Sequence, residues 1–248
     1  MKTDEVKSAL IIGGGSGMGK AIALKLGGLG INTFVADFNR EAVDETVQQI
    51  QTEKGTAGGF SVDISDSSSV FTLFQAIRSH ADRLDLMVDT AAVLGKVSFI
   101  EDMEDDDWRK VMSVNLDGTF FCCREAVRWM KEHQTGRIIL FSSVASQMPT
   151  PGSLHYSASK AGVNMLGKTL AKEVAKYNIR VNMIAPGYIK TPMLKEMPDG
   201  FTEYVVKKTP IKRLGEVEEI AGLVAFLASP EADFFTGQLF GPNGGWVI

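Results

Sequence analysis

Short apolar runs alternate along the chain with longer stretches in which apolar side chains recur every three or four positions. The runs Ala9–Ile12, Asn32–Ala36, Gly59–Val62, Leu84–Val88, Arg137–Phe141, Arg180–Ile184 and Gln238–Phe240 predict seven strands. Several are apolar at nearly every position, the pattern of a strand covered on both faces. The stretches 17–29, 40–53, 67–80, 104–131, 155–177 and 216–228 predict helices, each with one apolar face. This alternation predicts an α/β fold, a doubly wound, mostly parallel sheet of seven strands with helices on both sides and right-handed crossovers. Residues 188–214 read as an extra helical insertion within one domain spanning 1–248. Ligands of such sheets bind outside the carboxyl ends of the strands, so chemistry is sought just after each apolar run.

Composition narrows the function classes. With 26 Lys+Arg against 30 Asp+Glu, the net charge is −4, and no basic excess supplies the counterion release on which phosphate-backbone binding depends. Nucleic acid is therefore not an expected partner. No apolar run approaches the roughly 18 residues that cross a bilayer, and Met1-Lys2-Thr3-Asp4-Glu5 is too acidic for a secretory signal. Cys122 and Cys123 are adjacent, poorly placed for an unstrained disulfide, and read as core thiols. A reducing cytoplasm is the expected location.

Directly after the first strand comes Gly13-Gly14-Gly15-Ser16-Gly17-Met18-Gly19-Lys20, opening a helix. Glycines let the backbone turn sharply and approach a pyrophosphate, while the helix N-terminus offers N–H donors and the positive end of its dipole. Asp37 ends the second strand, 18 residues beyond Gly19. An acid there accepts hydrogen bonds from ribose hydroxyls and repels a 2′-phosphate, which points to NAD rather than NADP. Ser16, where a basic side chain could meet a 2′-phosphate, agrees, and Arg40 reads as helix-start surface. Gly27-Gly28-Leu29-Gly30 is read instead as a helix end with Gly30 at its cap. Asp63, just past the third strand, can either reach an adenine or serve a turn before the next helix.

A second constellation is Leu140-Phe141-Ser142-Ser143-Val144 followed by His155-Tyr156-Ser157-Ala158-Ser159-Lys160. Ser143 falls at the carboxyl end of a strand, and Tyr156 and Lys160 share a helix face at i, i+4. The chemistry suggested is proton transfer at an oxygen. A phenol near pKa 10 is too weak a base at neutral pH by roughly 4 kcal/mol. One positive charge at about 4 Å supplies that much only where water is partly excluded. Ser143 would then hydrogen-bond and polarise the substrate oxygen.

With these residues the chain resembles the single-domain short-chain dehydrogenases/reductases, over essentially its whole length. The family's G-x-x-x-G-x-G is met by Gly13, Gly17 and Gly19, its Y-x-x-x-K by Tyr156 and Lys160, and its serine, thirteen residues before the tyrosine, by Ser143. Asn115 matches the helix asparagine with which the family holds a water leading to the lysine. Pro186-Gly187, Ile189 and Thr191 match the segment lining the nicotinamide. The resemblance implies a Rossmann-type fold and NAD(H)-dependent interconversion of a secondary alcohol and a ketone, without metal. Ser143, Tyr156, Lys160 and Asn115 would be catalytic, with Lys160 lowering the tyrosine pKa and binding the ribose. Cofactor contacts would come from Gly13, Ser16, Gly17, Met18, Gly19, Asp37, Asp63, Ile64, Thr90, Ala91, Tyr156, Lys160, Pro186, Gly187, Ile189 and Thr191. A homotetramer is implied as well.

The chain departs from the family at three places. Ile12 stands where a threonine is usual, Asp89-Thr90-Ala91-Ala92 where Asn-Asn-Ala-Gly is usual, and Pro242-Asn243-Gly244-Gly245 where Val-Asp-Gly-Gly is usual. The first two are the ends of one contact in family members and read as a structural tie rebuilt beside the adenosine. The third touches subunit packing.

Met193, Leu194, Met197, Phe201, Tyr204 and Val205 recur at near-helical spacing in the insertion and are expected over the substrate, with Val144, Met148 and Leu94 as further walls. With few cations there (Lys96, Lys190 and Lys195), a small apolar or cyclic substrate is expected. Six acids fall within Glu101–Asp107, where they suit a helix dipole. His80, His133 and His155 show no metal-ligand spacing. Rival readings are a 3-oxoacyl-thioester reductase, which in this family typically takes NADPH, and a non-catalytic NAD-binding sensor or scaffold.

Overall fold

The computed structural model describes residues 6–196 and 200–248. Seven parallel strands form one sheet: β1 (Ser8–Ile12), β2 (Asn32–Asp37), β3 (Ala57–Ser61), β4 (Leu86–Asp89), β5 (Gly136–Phe141), β6 (Ile179–Ile184) and β7 (Leu239–Phe240). Their order is β3-β2-β1-β4-β5-β6-β7. The order reverses at β1, which pairs with β2 on one side and β4 on the other, so a crevice opens at the carboxyl end of β1.

Alternation within each strand assigns its side chains to two layers. Ile11, Val35, Val88 and Ile139 face α1 (Gly17–Gly28), α2 (Arg40–Thr52) and α8 (Val217–Leu227), whose Ile22, Leu26, Val43, Ile50 and Val224 complete one core. Leu10, Phe34, Met87 and Leu140 face the opposite way. They pack on α3 (Ser67–Arg78), α5 (Thr119–His133) and α6 (Leu154–Val174) through Phe74, Trp129 and Val163.

Element ends fall within a few residues of the sequence expectation, and three of the differences have a local cause. β3 begins at Ala57, and Gly59 within it lets α2 lie close: a Cβ there would stand 2.7 Å from Val43 Cγ1. β4 begins at Leu86 because Asp85 is withdrawn from the strand run to accept from the Lys7 and Ser8 amides, at 2.7 and 3.0 Å, and Asp89 joins the strand instead. The single helix expected over 104–131 is interrupted. α4 (Asp105–Met112) leads into a π-helical turn, Ser113–Gly118, before α5 begins. Such a wider turn redirects one or two side chains, and Asn115 is one of them.

Gly30 takes φ +80° and its amide reaches the Gly27 carbonyl, ending α1. Arg40 pairs with Asp44 on the surface of α2. Cys122 and Cys123 are buried free thiols. The acids at the start of α4 engage Arg109, which pairs with Asp105 and Asp106. Segment 188–214 carries a 3₁₀ turn, Pro192–Glu196, and α7 (Phe201–Lys208). Among the described residues no helix is long and apolar enough to cross a membrane.

Candidate active site

The crevice is a cleft of about 620 Å³ bounded by Gly13, Ser16–Gly19, Asp37, Asp63, Thr90–Val93 and Thr191–Met193. Gly13 takes φ +77° and Gly17 φ +52°, in the left-handed region that favours glycine. A Cβ on Gly19 would lie 2.1 Å from the Gly13 carbonyl oxygen, so the turn closes only on a bare backbone. Ser16 occupies the N-cap of α1 without a side-chain cap bond, which leaves first-turn N–H groups available at the cleft. These features fit a pyrophosphate-bearing dinucleotide.

Asp37 is fixed at the cleft floor. Its Oδ2 accepts from the Gly15 amide and its Oδ1 from the Asn39 amide, each at 3.0 Å. Phe38 beside it is 76% exposed and forms part of the cleft rim. Asp63 lines the cleft and also holds a turn, its Oδ1 accepting from the Ser65 amide and hydroxyl. The helix cap is Asp66, not Asp63. Ile64, Thr90 and Ala91 lie on the same wall. Thr90 Oγ1 donates to the Ile12 carbonyl at 2.8 Å. The Thr90 amide donates to the same carbonyl at 2.9 Å, so with isoleucine at position 12 the amide and hydroxyl of Thr90 together tie the β1 end to the β4 end, the contact expected to be rebuilt at the two paired departures.

Ser143 follows β5. Its Oγ accepts from the Ala145 amide at 3.2 Å, capping the short turn Val144–Ser146, and lies near enough to the Tyr156 phenol to favour its ionised form. Tyr156 and Lys160 sit one turn apart on α6, with Lys160 Nζ 5.9 Å from the phenol ring. That ammonium is 2% exposed and donates to the Phe141 carbonyl at 2.8 Å. Burial brings Lys160 down from 10.5 to about 8, against the pull of the Asp89 charge, which raises it. Tyr156 departs from expectation. Burial raises the phenol above its ordinary value, the Ser143 hydroxyl only partly offsets this, and Tyr188 raises it further. Desolvation therefore dominates, and the phenol holds its proton at neutral pH.

Asn115 is fully buried. Its Oδ1 accepts from the Val93 amide at 2.8 Å, and its Nδ2 donates to the Val93 carbonyl at 2.9 Å and to Ser159 Oγ at 3.2 Å. The π-helical turn thus clamps the loop after β4 to α6. Pro186 accepts from the Val144 amide, joining the loop after β6 to the serine turn. Gly187 packs on Asn243, and a Cβ there would approach Asn243 Cα to 2.8 Å. Ile189 is buried beside Gly215, while Thr191 reaches Gly17 at the mouth of the glycine turn.

The substrate side is less uniform. Val144 is buried, and Met148, Met193 and Leu194 are half-buried. Val205 is packed inside α7, Tyr204 points outward at 54% exposure, and Met197 lies outside the described residues. Two aromatic residues escaped the sequence reading. Tyr188 meets Trp246 edge-on at 4.9 Å and Phe201 at 5.6 Å, and the Trp246 indole N–H donates to Met148 Sδ at 2.9 Å. Pro186-Gly187 could have flagged Tyr188 as its neighbour, but nothing local marks Trp246, which arrives from the far end of the chain. His155 is buried, with Nδ1 accepting from the Tyr156 amide and Nε2 buried without a hydrogen-bond partner among the described residues.

The open crevice at the strand-order reversal, the glycine turn and the Ser–Tyr–Lys grouping define an α/β oxidoreductase with a dinucleotide-binding fold. The family model described as "Enoyl-(Acyl carrier protein) reductase" matches residues 13–247. A 3-oxoacyl-[acyl-carrier-protein] reductase of Thermotoga maritima is 35% identical over 98% of this chain and 99% of its own. A 2-dehydro-3-deoxy-L-rhamnonate dehydrogenase (NAD(+)) of Sphingomonas sp. is 33% identical over 96% of this chain and 94% of its own. The crystal structure of a levodione reductase superposes with a TM-score of 0.93 at 30% identity, covering 96% of each chain. The protein belongs to the short-chain dehydrogenase/reductase family.

Proposed function

We propose that this protein is an NAD(H)-dependent oxidoreductase interconverting a secondary alcohol and a ketone, the substrate being small and apolar or cyclic. The observation that carries the reading is the meeting of Ser143, Tyr156 and Lys160 at the carboxyl edge of the sheet that also bears the glycine cleft. A nicotinamide dinucleotide, when bound, exchanges a hydride with the carbinol carbon. The chain's own groups handle the proton. Tyr156, protonated at neutral pH, donates to the ketone oxygen in reduction; in oxidation it first gives its own proton to solvent, and the phenolate then accepts the proton of the alcohol. Ser143 hydrogen-bonds the same oxygen, and Lys160, anchored on the Phe141 carbonyl, stabilises the phenolate that Tyr156 becomes. Asn115 keeps the loop after β4 aligned with α6.

Gly13, Ser16, Gly17, Met18 and Gly19 would hold the pyrophosphate, and Asp37 the ribose hydroxyls. Asp63, Ile64, Thr90 and Ala91 would line the adenosine, and Tyr156, Lys160, Pro186, Gly187, Ile189 and Thr191 the nicotinamide half. Asp37 is what favours NAD over NADP, since its carboxylate is fixed by two amides and would face a 2′-phosphate. The NAD(+) in the Sphingomonas relative's name supports this. Val144, Met193 and Leu194, with Tyr188 and Trp246, would wall an apolar substrate site, which the levodione reductase likeness supports. The reading takes residues 1–248 as one cofactor-binding and catalytic unit with 188–214 covering the substrate, acting as a cytoplasmic homotetramer.

A second reading, reduction of a 3-oxoacyl thioester with NADPH, is favoured by the name of the Thermotoga relative. Steady-state assays with NAD and NADP against cyclic, aromatic and acyclic secondary alcohols, and of NADH and NADPH against acetoacetyl-CoA, separate the two. Preference for NAD with a cyclic or aromatic alcohol supports the first. Preference for NADPH with acetoacetyl-CoA overturns it.

A further inference from the structure

The buried acid at the end of β4 is used by none of the roles above. Asp89 is 3% exposed, and both carboxylate oxygens are engaged: Oδ2 accepts from Thr119 Oγ1 at 2.7 Å and Oδ1 from the Ala91 amide at 3.2 Å. In the β4–β5 register Asp89 lies opposite Leu140, one residue before the Phe141 carbonyl that holds Lys160 Nζ. A buried carboxylate at the end of β4 and a buried ammonium that α6 rests on the carbonyl end of adjacent β5 therefore meet at the carboxyl edge of the sheet. We propose that Asp89 is a positioning residue for Lys160, keeping the buried lysine charged and so setting the pH range over which the Tyr156–Lys160 pair works.

The physical case rests on desolvation. Removing an ammonium from water favours its neutral form, and a carboxylate held nearby in the same low-dielectric interior opposes that loss. Each of the two groups acts on the other through its charge, while burial pushes Asp89 up and Lys160 down. The other titratable groups facing Asp89 are Cys122 and Cys123 on α5, whose burial raises both thiols well above their ordinary value, so they stay neutral. Lys160 faces, besides Asp89, the Tyr156 phenol.

Asp89→Asn removes the charge with little change of shape. The amide oxygen keeps the bond from Ala91, and the amide nitrogen can donate to Thr119, whose hydroxyl then donates to the Asn115 carbonyl 3.0 Å away. The lysine then loses its proton about one pH unit lower.

The proposal rests on the dehydrogenase reading only for its catalytic consequence, and its test needs no turnover. Thermal unfolding of wild type and Asp89→Asn is followed from pH 6 to 9 without ligand. Stability rises with pH wherever the unfolded chain holds more protons than the folded one. For Lys160 that rise sets in near pH 8 in the wild type and about one unit lower in the variant. The Tm of the variant relative to wild type therefore rises between pH 6 and pH 9, whatever its offset, and a Lys160→Met background abolishes this pH dependence. A difference constant across the range, or a pH dependence unchanged by Lys160→Met, overturns the proposal and leaves Asp89 a structural acceptor. In parallel, the alkaline limb of the turnover profile shifts about one unit lower in Asp89→Asn. Lack of turnover in the wild type would count against the functional reading, while the unfolding profile still decides the role of Asp89.

Discussion

Alanine at Gly19 and at Gly28 makes a paired test of the phosphate turn, because both residues lie in α1. Helix propensity alone predicts that each substitution stabilises, by about 0.5–1 kcal/mol. At Gly28 nothing lies within 4 Å of the new methyl, so the gain is realised. At Gly19 the methyl meets the Gly13 carbonyl oxygen at 2.1 Å and Thr90 Oγ1 at 2.6 Å. Gly13 cannot yield freely, since its amide is bonded to the Ala36 carbonyl at 2.9 Å and its φ is already +77°. Overpacking of this kind costs about 1–3 kcal/mol, which reverses the sign. Urea unfolding should therefore separate the two variants by about 1.5–4 kcal/mol, with unchanged m-values. NADH titration should show affinity lost in Gly19→Ala and retained in Gly28→Ala. A Gly19→Ala protein as stable as Gly28→Ala, with intact NADH affinity, would refute the reading of this turn as a closed backbone cradle.

Other consequences are open to direct measurement. Asn115→Ala strips both bonds from Val93 and the link to Ser159; we expect a loss of about 2 kcal/mol in urea unfolding and a lower kcat. Thr90→Val removes the hydroxyl that joins the β4 end to the Ile12 carbonyl, and should weaken NADH binding more than it lowers kcat at saturating cofactor. Cys122 and Cys123, buried and held protonated, should resist Ellman's reagent at pH 8 in the native protein and react within minutes in urea.

How much of this was legible in the sequence follows from what each feature depends on. The central strands could be read because burial on both faces leaves an unbroken apolar run, as in Leu10–Ile12 and Ile138–Phe141. The glycine turn could be read because backbone conformation and close approach demand a residue type at fixed spacing. Ser143, Tyr156 and Lys160 are set by local geometry, a strand end and one helical turn. The π-helical turn at Ser113–Gly118 was hidden, since its side chains satisfy an ordinary helical pattern and only Asn115's tie to Val93 gives it away. Tyr188 and Trp246 were hidden for a different reason: they meet across 58 residues of chain, and long-range contacts leave no local period. The raised Tyr156 phenol belongs to the same class, being a sum of burial and neighbours that spacing does not report.

The central claim is that the Tyr156 hydroxyl carries the proton while the rest of the site holds its cofactor. The most direct test compares wild type and Tyr156→Phe for turnover with the best alcohol of the panel and, separately, for NADH affinity by fluorescence. The account predicts turnover reduced by roughly 10²–10⁴-fold, with NADH affinity changed by no more than about threefold. Turnover close to wild type in Tyr156→Phe would contradict it.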